Sequence, residues 1–285
     1  MEVANECIPC TLKSCLRLIE DGGVEPDERE HLLRETLSFL AAADWHQSPP
    51  SLARGLHAML RREGRSDDPY ADIKRRSNEA MLERVPELRA DLAAASDPFA
   101  LAVRLAVAGN VIDFGARHLF DPAETIGRVM TADLAVDATE DLRADLNGSG
   151  SLLYIGDNAG EIVLDGLLLE TLGHPRATFA VRGGPVINDA TLDDARKAGI
   201  PSLARVITTG DDAPGVIPSR VSDEFAAEFE KADVVIAKGQ GNLEGLWDAP
   251  REVYFLLTVK CERVARHIGV GVGDFVVWKH APPAG

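Results

Sequence analysis

Between residues 150 and 240 the chain repeats one unit: a short apolar run, a Gly- and Asx-rich segment, then a stretch with helical patterning. The runs at 152–155, 178–181, 205–208 and 234–237 are apolar on successive residues and rich in β-branched or aromatic side chains. That is the texture of strands buried on both faces. A further run at 275–278 reads as a late strand. Segments 161–172, 190–198, 222–232 and 254–267 carry helical periodicity, although 254–259 reads equally well as a strand. Alternation of this kind restricts the segment to an α/β fold, a parallel sheet with helices on both faces.

The preceding half has a different texture. Leu12, Leu16 and Ile19 form one stripe at helical spacing; Leu32, Leu33, Thr36, Leu37 and Leu40 form another; Leu101, Leu105 and Ala108 form a third. Ser96-Asp97-Pro98 has the composition of a helix start. Asn147-Gly148-Ser149-Gly150 is a turn composition where the rhythm changes, so the expected organisation is a helical domain over 1–147 and an α/β domain over 148–285. A length of 285 residues suits about two domains.

Acidic residues outnumber basic ones 46 to 30, for a formal net charge of -16. Such a chain repels nucleic-acid backbones and anionic bilayers, so neither is an expected partner. The opening MEVANECIPC has neither the basic nor the long apolar stretch of a secretory signal, and no apolar run is long enough to span a bilayer. The chain therefore reads as cytoplasmic. Four cysteines are too few for a disulfide scaffold of this size. Nothing in the sequence indicates an oligomeric state.

Ligands of open α/β sheets bind beyond the carboxyl ends of the strands. Four consecutive strands here empty into polar segments: Gly156-Asp157-Asn158-Ala159-Gly160-Glu161, Arg182 to Thr191, Thr209-Gly210-Asp211-Asp212, and Lys238-Gly239-Gln240-Gly241-Asn242-Leu243-Glu244. Asp157, Asp189 and Glu161 would converge on that edge. Clustered carboxylates raise one another's pKa unless a cation neutralises them. Asp157, Asn158 and Asp189 make a hard, oxygen-only donor set suited to Mg²⁺ or Mn²⁺, with Co²⁺ or Ni²⁺ also admissible. The glycines and the helix start near Gly160 suit an anion, and Lys238 and Lys260 supply fixed positive charge. Together these parts describe metal-assisted phosphoryl chemistry. Each has a plainer alternative: Asp157-Asn158 as an Asx turn, Asn188, Asp189 and Thr191 as a helix N-cap, Lys238 as a solvated charge, Lys260 as a surface residue of a helix.

The three segments 156–161, 185–191 and 237–244 resemble the DUF89 family, the damage-control phosphatases also described as ARMT1-like metal-binding proteins. Cys7-Ile8-Pro9-Cys10, Gly109-Asn110-Val111-Ile112-Asp113-Phe114-Gly115 and Lys260-Cys261-Glu262 match its short prokaryotic branch. The motifs run in the same order over nearly the whole chain. The resemblance implies a helical domain followed by a Rossmann-like α/β/α domain with a mostly parallel sheet. It implies a divalent-metal-dependent phosphatase that hydrolyses small phosphorylated metabolites, such as sugar phosphates or damaged phosphometabolites. Its metal ligands map onto Asp157, Asn158 and Asp189; Lys238, Lys260, Asn242 and Asn110 are candidate ligands of the substrate phosphate. Either Asp157 or Glu161 is the acceptor for the proton of the attacking water.

Other segments stay open. Cys7-x-x-Cys10 suits buried thiols, a metal or structural pairing, or redox chemistry, with Cys15 and Cys261 as further members. Asn110 and Asp113 follow an apolar helix over 99–108; they either cap it locally or reach the cleft and touch substrate. Two other functions compete. An S-adenosylmethionine-dependent methyltransferase would also use the first strand's loop, but that loop lacks a Gly-x-Gly core and the second strand ends in Val181-Arg182 rather than an acid. A non-catalytic metal- or metabolite-binding protein would keep the ligands without turnover.

Overall fold

The computed structural model describes residues 1–21, 25–64, 67–109, 126–127 and 130–282. Helices α1 (Cys7–Asp21), α2 (Pro26–Ala42) and α3 (Pro49–Gly64) fold on their own small cores. The stripes of the sequence meet there: Leu18, Ile19, Leu32, Leu56 and Leu60 pack in one cluster, Val3, Leu40 and Leu52 in another. Leu37, counted in the second stripe, is 49% exposed, because it falls on the outer side of α2. Cys15 is buried in this layer, its Sγ 2.9 Å from Thr36 Oγ1, while Cys10 is exposed.

Helices α4 (Ala71–Ala94) and α5 (Pro98–Gly109) pack on the sheet instead. The start of α5 is as expected: Pro98 opens it, and Asp97 Oδ1 accepts the Ala100 N–H at 3.0 Å. Strand β1 (Val136–Asp137) and α6 (Thr139–Gly148) come next. The α/β succession is β2 (Leu152–Ile155), α7 (Glu161–Leu172), β3 (Ala177–Val181), α8 (Leu192–Lys197), β4 (Arg205–Thr208), α9 (Asp223–Lys231), β5 (Val234–Lys238), α10 (Gly239–Gly245), β6 (Val253–Thr258), α11 (Glu262–Ile268) and β7 (Phe275–His280).

The seven strands form one sheet in the order β1-β7-β6-β5-β2-β3-β4. Neighbours from β4 to β6 are parallel; β7 runs antiparallel to β6, and β1 lies parallel to β7 at the edge. Alternate strand residues divide the core in two. Leu152, Tyr154, Phe179, Val181 and Ile236 face α4 to α7; Leu153, Ile155, Ala180, Val235 and Ala237 face α9 to α11. The fold is thus a mostly parallel α/β/α layer with helices ahead of it.

Of the two readings of 254–259, the strand is the one formed. Segment 254–267 divides into a strand and a shorter helix: its first part is apolar on both faces and is buried between β5 and β7, where a helix could not pair. The Gly-rich segment after Lys238 forms α10. Leu142 and Leu146 of α6 pack with Leu152 and Tyr154, and β1 joins the sheet at its edge beside β7. The small cores set α1 to α3 apart from the later elements. Among the described residues, no helix is long and apolar enough to cross a membrane.

Strand order reverses between β2 and β5, because the chain builds β2, β3, β4 outward and then returns for β5 and β6. The crevice beyond the carboxyl ends of β2 and β5 is the switch point at which such sheets bind ligands. The helical layer covers this edge. Arg54 Nε lies 2.8 Å from Asp211 Oδ1, Arg61 donates to Pro185 O at 2.7 Å and pairs with Asp212, and Lys74 pairs with Asp68 at 2.6 Å and Asp194 at 3.4 Å.

Candidate active site at the sheet switch point

The loop after β2 and the loop after β3 are tied by backbone bonds. Ala190 N–H donates to Asp157 O at 2.7 Å and Ala159 N–H to Asn188 O at 2.9 Å, an isolated antiparallel bridge that sets Asn158 opposite Asp189. The turn that presents Asp189 is strained: Ile187 has φ 44°, a left-handed conformation that a β-branched residue adopts at a cost of about 1–3 kcal/mol. The N-cap expected among Asn188, Asp189 and Thr191 belongs to Thr191, which forms a capping box with Asp194. Asp189 is thereby left for the cleft.

A residue overlooked in the sequence holds the two aspartates. Arg182, the residue after β3, is 1% exposed. Its Nε donates to Asp189 Oδ2 at 2.6 Å, its Nη2 to Asp157 Oδ1 at 3.1 Å and its Nη1 to Asn242 Oδ1 at 3.0 Å. Asn158 Nδ2 donates to Asp157 Oδ2 and to Glu161 Oε2, both at 2.9 Å. Asp157, Asn158, Glu161 and Asp189 are therefore brought together.

The expected phosphate ligands separate into two groups. Lys238 has no exposed surface, and its ammonium donates to Glu161 Oε1 and Asp165 Oδ1 at 2.7 Å each and to Ala106 O at 2.6 Å. Its three donors are spent inside the protein, so in this structure it meets carboxylates and not an open cleft. Asn242, also fully buried, donates to Gly156 O and Lys238 O and accepts from Arg182 and from Val216 N–H. It ties β2 to β5 at the switch point and has no free polar atom for a substrate. Lys260, in contrast, is exposed between β6 and α11, with its N–H held by Gln240 Oε1 at 2.9 Å. Its charge is felt by Asp157, Glu161 and Asp189. Asn110, like Asp113, lies outside the described residues. The glycine at 241 serves packing: a Cβ there would stand 2.2 Å from Pro214 O.

A second overlooked residue is Asp165, in the middle of the buried helix α7. Its Oδ1 accepts from Tyr154 Oη at 2.7 Å as well as from Lys238, and its Oδ2 is buried with no hydrogen-bond partner among the described residues. Asn78 of α4 supports the same region, accepting the Gly160 N–H at 2.7 Å and donating to Asp194 at 3.0 Å. Arg182 and Asp165 both had a signal in the sequence: Asp165 stands among Ile162, Val163, Leu164, Leu167 and Leu168, where a charge needs a buried counter-charge, and Arg182 and Lys238 each follow an apolar run.

Burial and neighbouring carboxylates push Asp157 up to about 8, against the pull of Arg182. Burial also raises Asp189, and burial with Glu161 raises Asp165 to about 6. Burial opposes ionisation of Glu161 as well, but Lys238 and the Asn158 amide outweigh it and its pKa falls. Four buried carboxylates thus stand against two buried cations, Arg182 and Lys238. The missing positive charge and the oxygen donors fit a divalent cation. Among the described residues no three His, Cys, Asp or Glu side chains are grouped tightly enough to hold a metal by themselves; the set includes the Asn158 amide, and Asn158 Oδ1 and Asp189 Oδ1 carry no hydrogen bond among the described residues.

Residues 3–276 match the family model described as "Damage-control phosphatase ARMT1-like domain". The chain belongs to this family. It is 34% identical to a damage-control phosphatase of Pyrococcus horikoshii over 98% of this chain and 99% of that one. It is 35% identical to a damage-control phosphatase of Archaeoglobus fulgidus, over 97% and 98% of the two chains. The crystal structure of a DUF89 family protein from Pyrococcus horikoshii superposes with a TM-score of 0.90 at 33% identity, covering 98% of this chain and 99% of that one. As a member of this family the chain is a metal-dependent phosphatase. The residue just after β3, where a nucleotide-binding sheet carries an acid for ribose, is here the arginine committed to Asp157 and Asp189.

Proposed function

We propose that the cleft at the β2/β5 switch point hydrolyses small phosphorylated metabolites, with Asp157, Asn158 and Asp189 as ligands of a divalent cation. The observation that carries this is the bridge between the β2 and β3 loops, which sets two aspartates and an amide side by side in a pocket short of positive charge. The hardness of these oxygen donors favours Mg²⁺ or Mn²⁺. When bound, the cation supplies Lewis-acid polarisation of a phosphoryl oxygen.

The chain's own residues do the rest. Asp157 or Glu161 accepts the proton of the attacking water; Lys238 and Asn158 keep Glu161 ionised and hold both of its oxygens. Asp157 is engaged by Arg182 and Asn158 and acts as a ligand. Lys260 approaches from the mouth and steadies phosphoryl oxygens as charge redistributes. Lys238 and Asn242 act behind the site, the one on Glu161 and the other on Arg182. The net charge of -16 disfavours polyanions, which leaves compact phosphate esters that one cation and one lysine can neutralise.

The test is phosphate release by chelator-stripped protein with Mg²⁺ or Mn²⁺ restored, using an aryl phosphate and a panel of sugar phosphates, with Asp157→Ala alongside. Metal-dependent release that the variant loses is expected. Full release by Asp157→Ala would overturn the assignment of the metal site.

A further inference from the structure

We propose that Arg182 is a positioning residue for the metal site: its guanidinium holds one oxygen of Asp157 and one of Asp189 from behind, so that both carboxylates face the cation. The proposal rests on the metal site described above. Three contacts carry it. Nε reaches Asp189 Oδ2 at 2.6 Å, Nη2 reaches Asp157 Oδ1 at 3.1 Å, and Nη1 is anchored on Asn242 Oδ1 at 3.0 Å. Asn242 is itself fixed to Gly156 O and Lys238 O, at the carboxyl ends of β2 and β5. The clamp is therefore built on rigid strand ends and not on a loop.

All three side chains are buried, and Arg182, at 1% exposure, spends its guanidinium on Asp189, Asp157 and Asn242. Asp189 Oδ2 and Asp157 Oδ1 are taken by Arg182, and Asp157 Oδ2 is turned toward Asn158. A planar guanidinium with donors in a fixed fork sets the angle between two carboxylates; an ammonium at the same place supplies charge without that geometry. The guanidinium also makes two crowded carboxylates tolerable before a cation arrives, which keeps the ligand pair preassembled.

Charge and geometry predict opposite signs for one substitution, and this separates them. By Coulomb's law alone, deleting a cation beside a metal site tightens metal binding. If Arg182 instead orients the ligands, its loss loosens binding, by the ten- to hundredfold typical of residues that support metal ligands. The experiment is calorimetric titration of chelator-stripped wild type, Asp157→Ala, Arg182→Lys and Arg182→Gln with Mn²⁺, with circular dichroism to confirm folding. Thermal unfolding with and without Mn²⁺ is the second readout.

Wild type is expected to bind and Asp157→Ala to fail; no binding by wild type would overturn the metal site on which the proposal rests. Arg182→Gln and Arg182→Lys are each expected to bind at least tenfold more weakly, and the gain in Tm on adding Mn²⁺ is expected to shrink. A purely structural arginine would lower Tm equally with and without the ion. Wild-type or tighter affinity in Arg182→Gln, or full affinity in Arg182→Lys, would overturn the proposal. Should Arg182→Gln not fold, Arg182→Lys decides alone, since it keeps the charge and removes only the fork.

Discussion

Lys238 Nζ lies 2.7 Å from Glu161 Oε1, and neither side chain has exposed surface. The same ammonium serves Asp165 at 2.7 Å, so one buried cation stands between two carboxylates. Removing one partner of a buried ion pair leaves the other without compensation, which costs about 3–5 kcal/mol. Lys238→Met is expected to lose stability on that scale in urea unfolding. A loss under about 1 kcal/mol would mean that the pair is not needed for folding, and would reopen a direct phosphate contact for Lys238.

Lys260 should behave in the opposite way. It is exposed, and it acts on the buried carboxylates only through its charge. Lys260→Ala is expected to leave unfolding within about 0.5 kcal/mol of wild type. Turnover of a phosphate ester should fall by roughly a hundredfold, the lower end of the range for a lost charge-stabilising donor. Unchanged kcat/KM would remove Lys260 from the phosphate site.

Gly109 ends α5 against Glu161: a Cβ there would stand 2.9 Å from Glu161 Cγ. On helix propensity alone alanine would stabilise by about 1 kcal/mol. Glu161 cannot move aside, because Lys238 and Asn158 hold both of its oxygens, so an overpacking cost of about 1–3 kcal/mol should win. Gly109→Ala is expected to lower both Tm and kcat. An increase in Tm with normal kcat would show that the contact is slack.

His57 on α3, which lines a small cavity with Pro185, Val186 and Ile187, gives a pH signature of its own. Burial, with a contribution from Arg61, pushes its pKa down from 6.5 to about 4. Between those values the unfolded chain holds a proton that the folded chain excludes, so stability rises with pH. The contribution is complete above 6.5 and is lost as pH falls through about 4; a shift of that size is worth about 3 kcal/mol. In His57→Gln the stability curve should flatten over that window. An unaltered slope would assign the acid sensitivity to other groups.

Much of this protein was determined by local sequence. The strands at 152–155 and 234–237 announce themselves because they are apolar on consecutive residues, and such runs are stable only inside a sheet covered on both faces. The cluster of Asp157, Asn158, Glu161 and Asp189 follows from the same logic, since polar segments after parallel strands must gather at one edge. Tertiary structure decided the rest, because a side chain's role depends on what lies across the fold. Lys238 and Lys260 look alike in a sequence, yet one closes a central strand and is consumed by Glu161 and Asp165, while the other stands exposed in the connection between β6 and α11. Asn242 resembles a ligand in its Gly-rich segment but is used up tying β2 to β5. Arg182 gained its place only when the β2 and β3 loops were bridged, which put two carboxylates from distant parts of the chain within reach of one guanidinium.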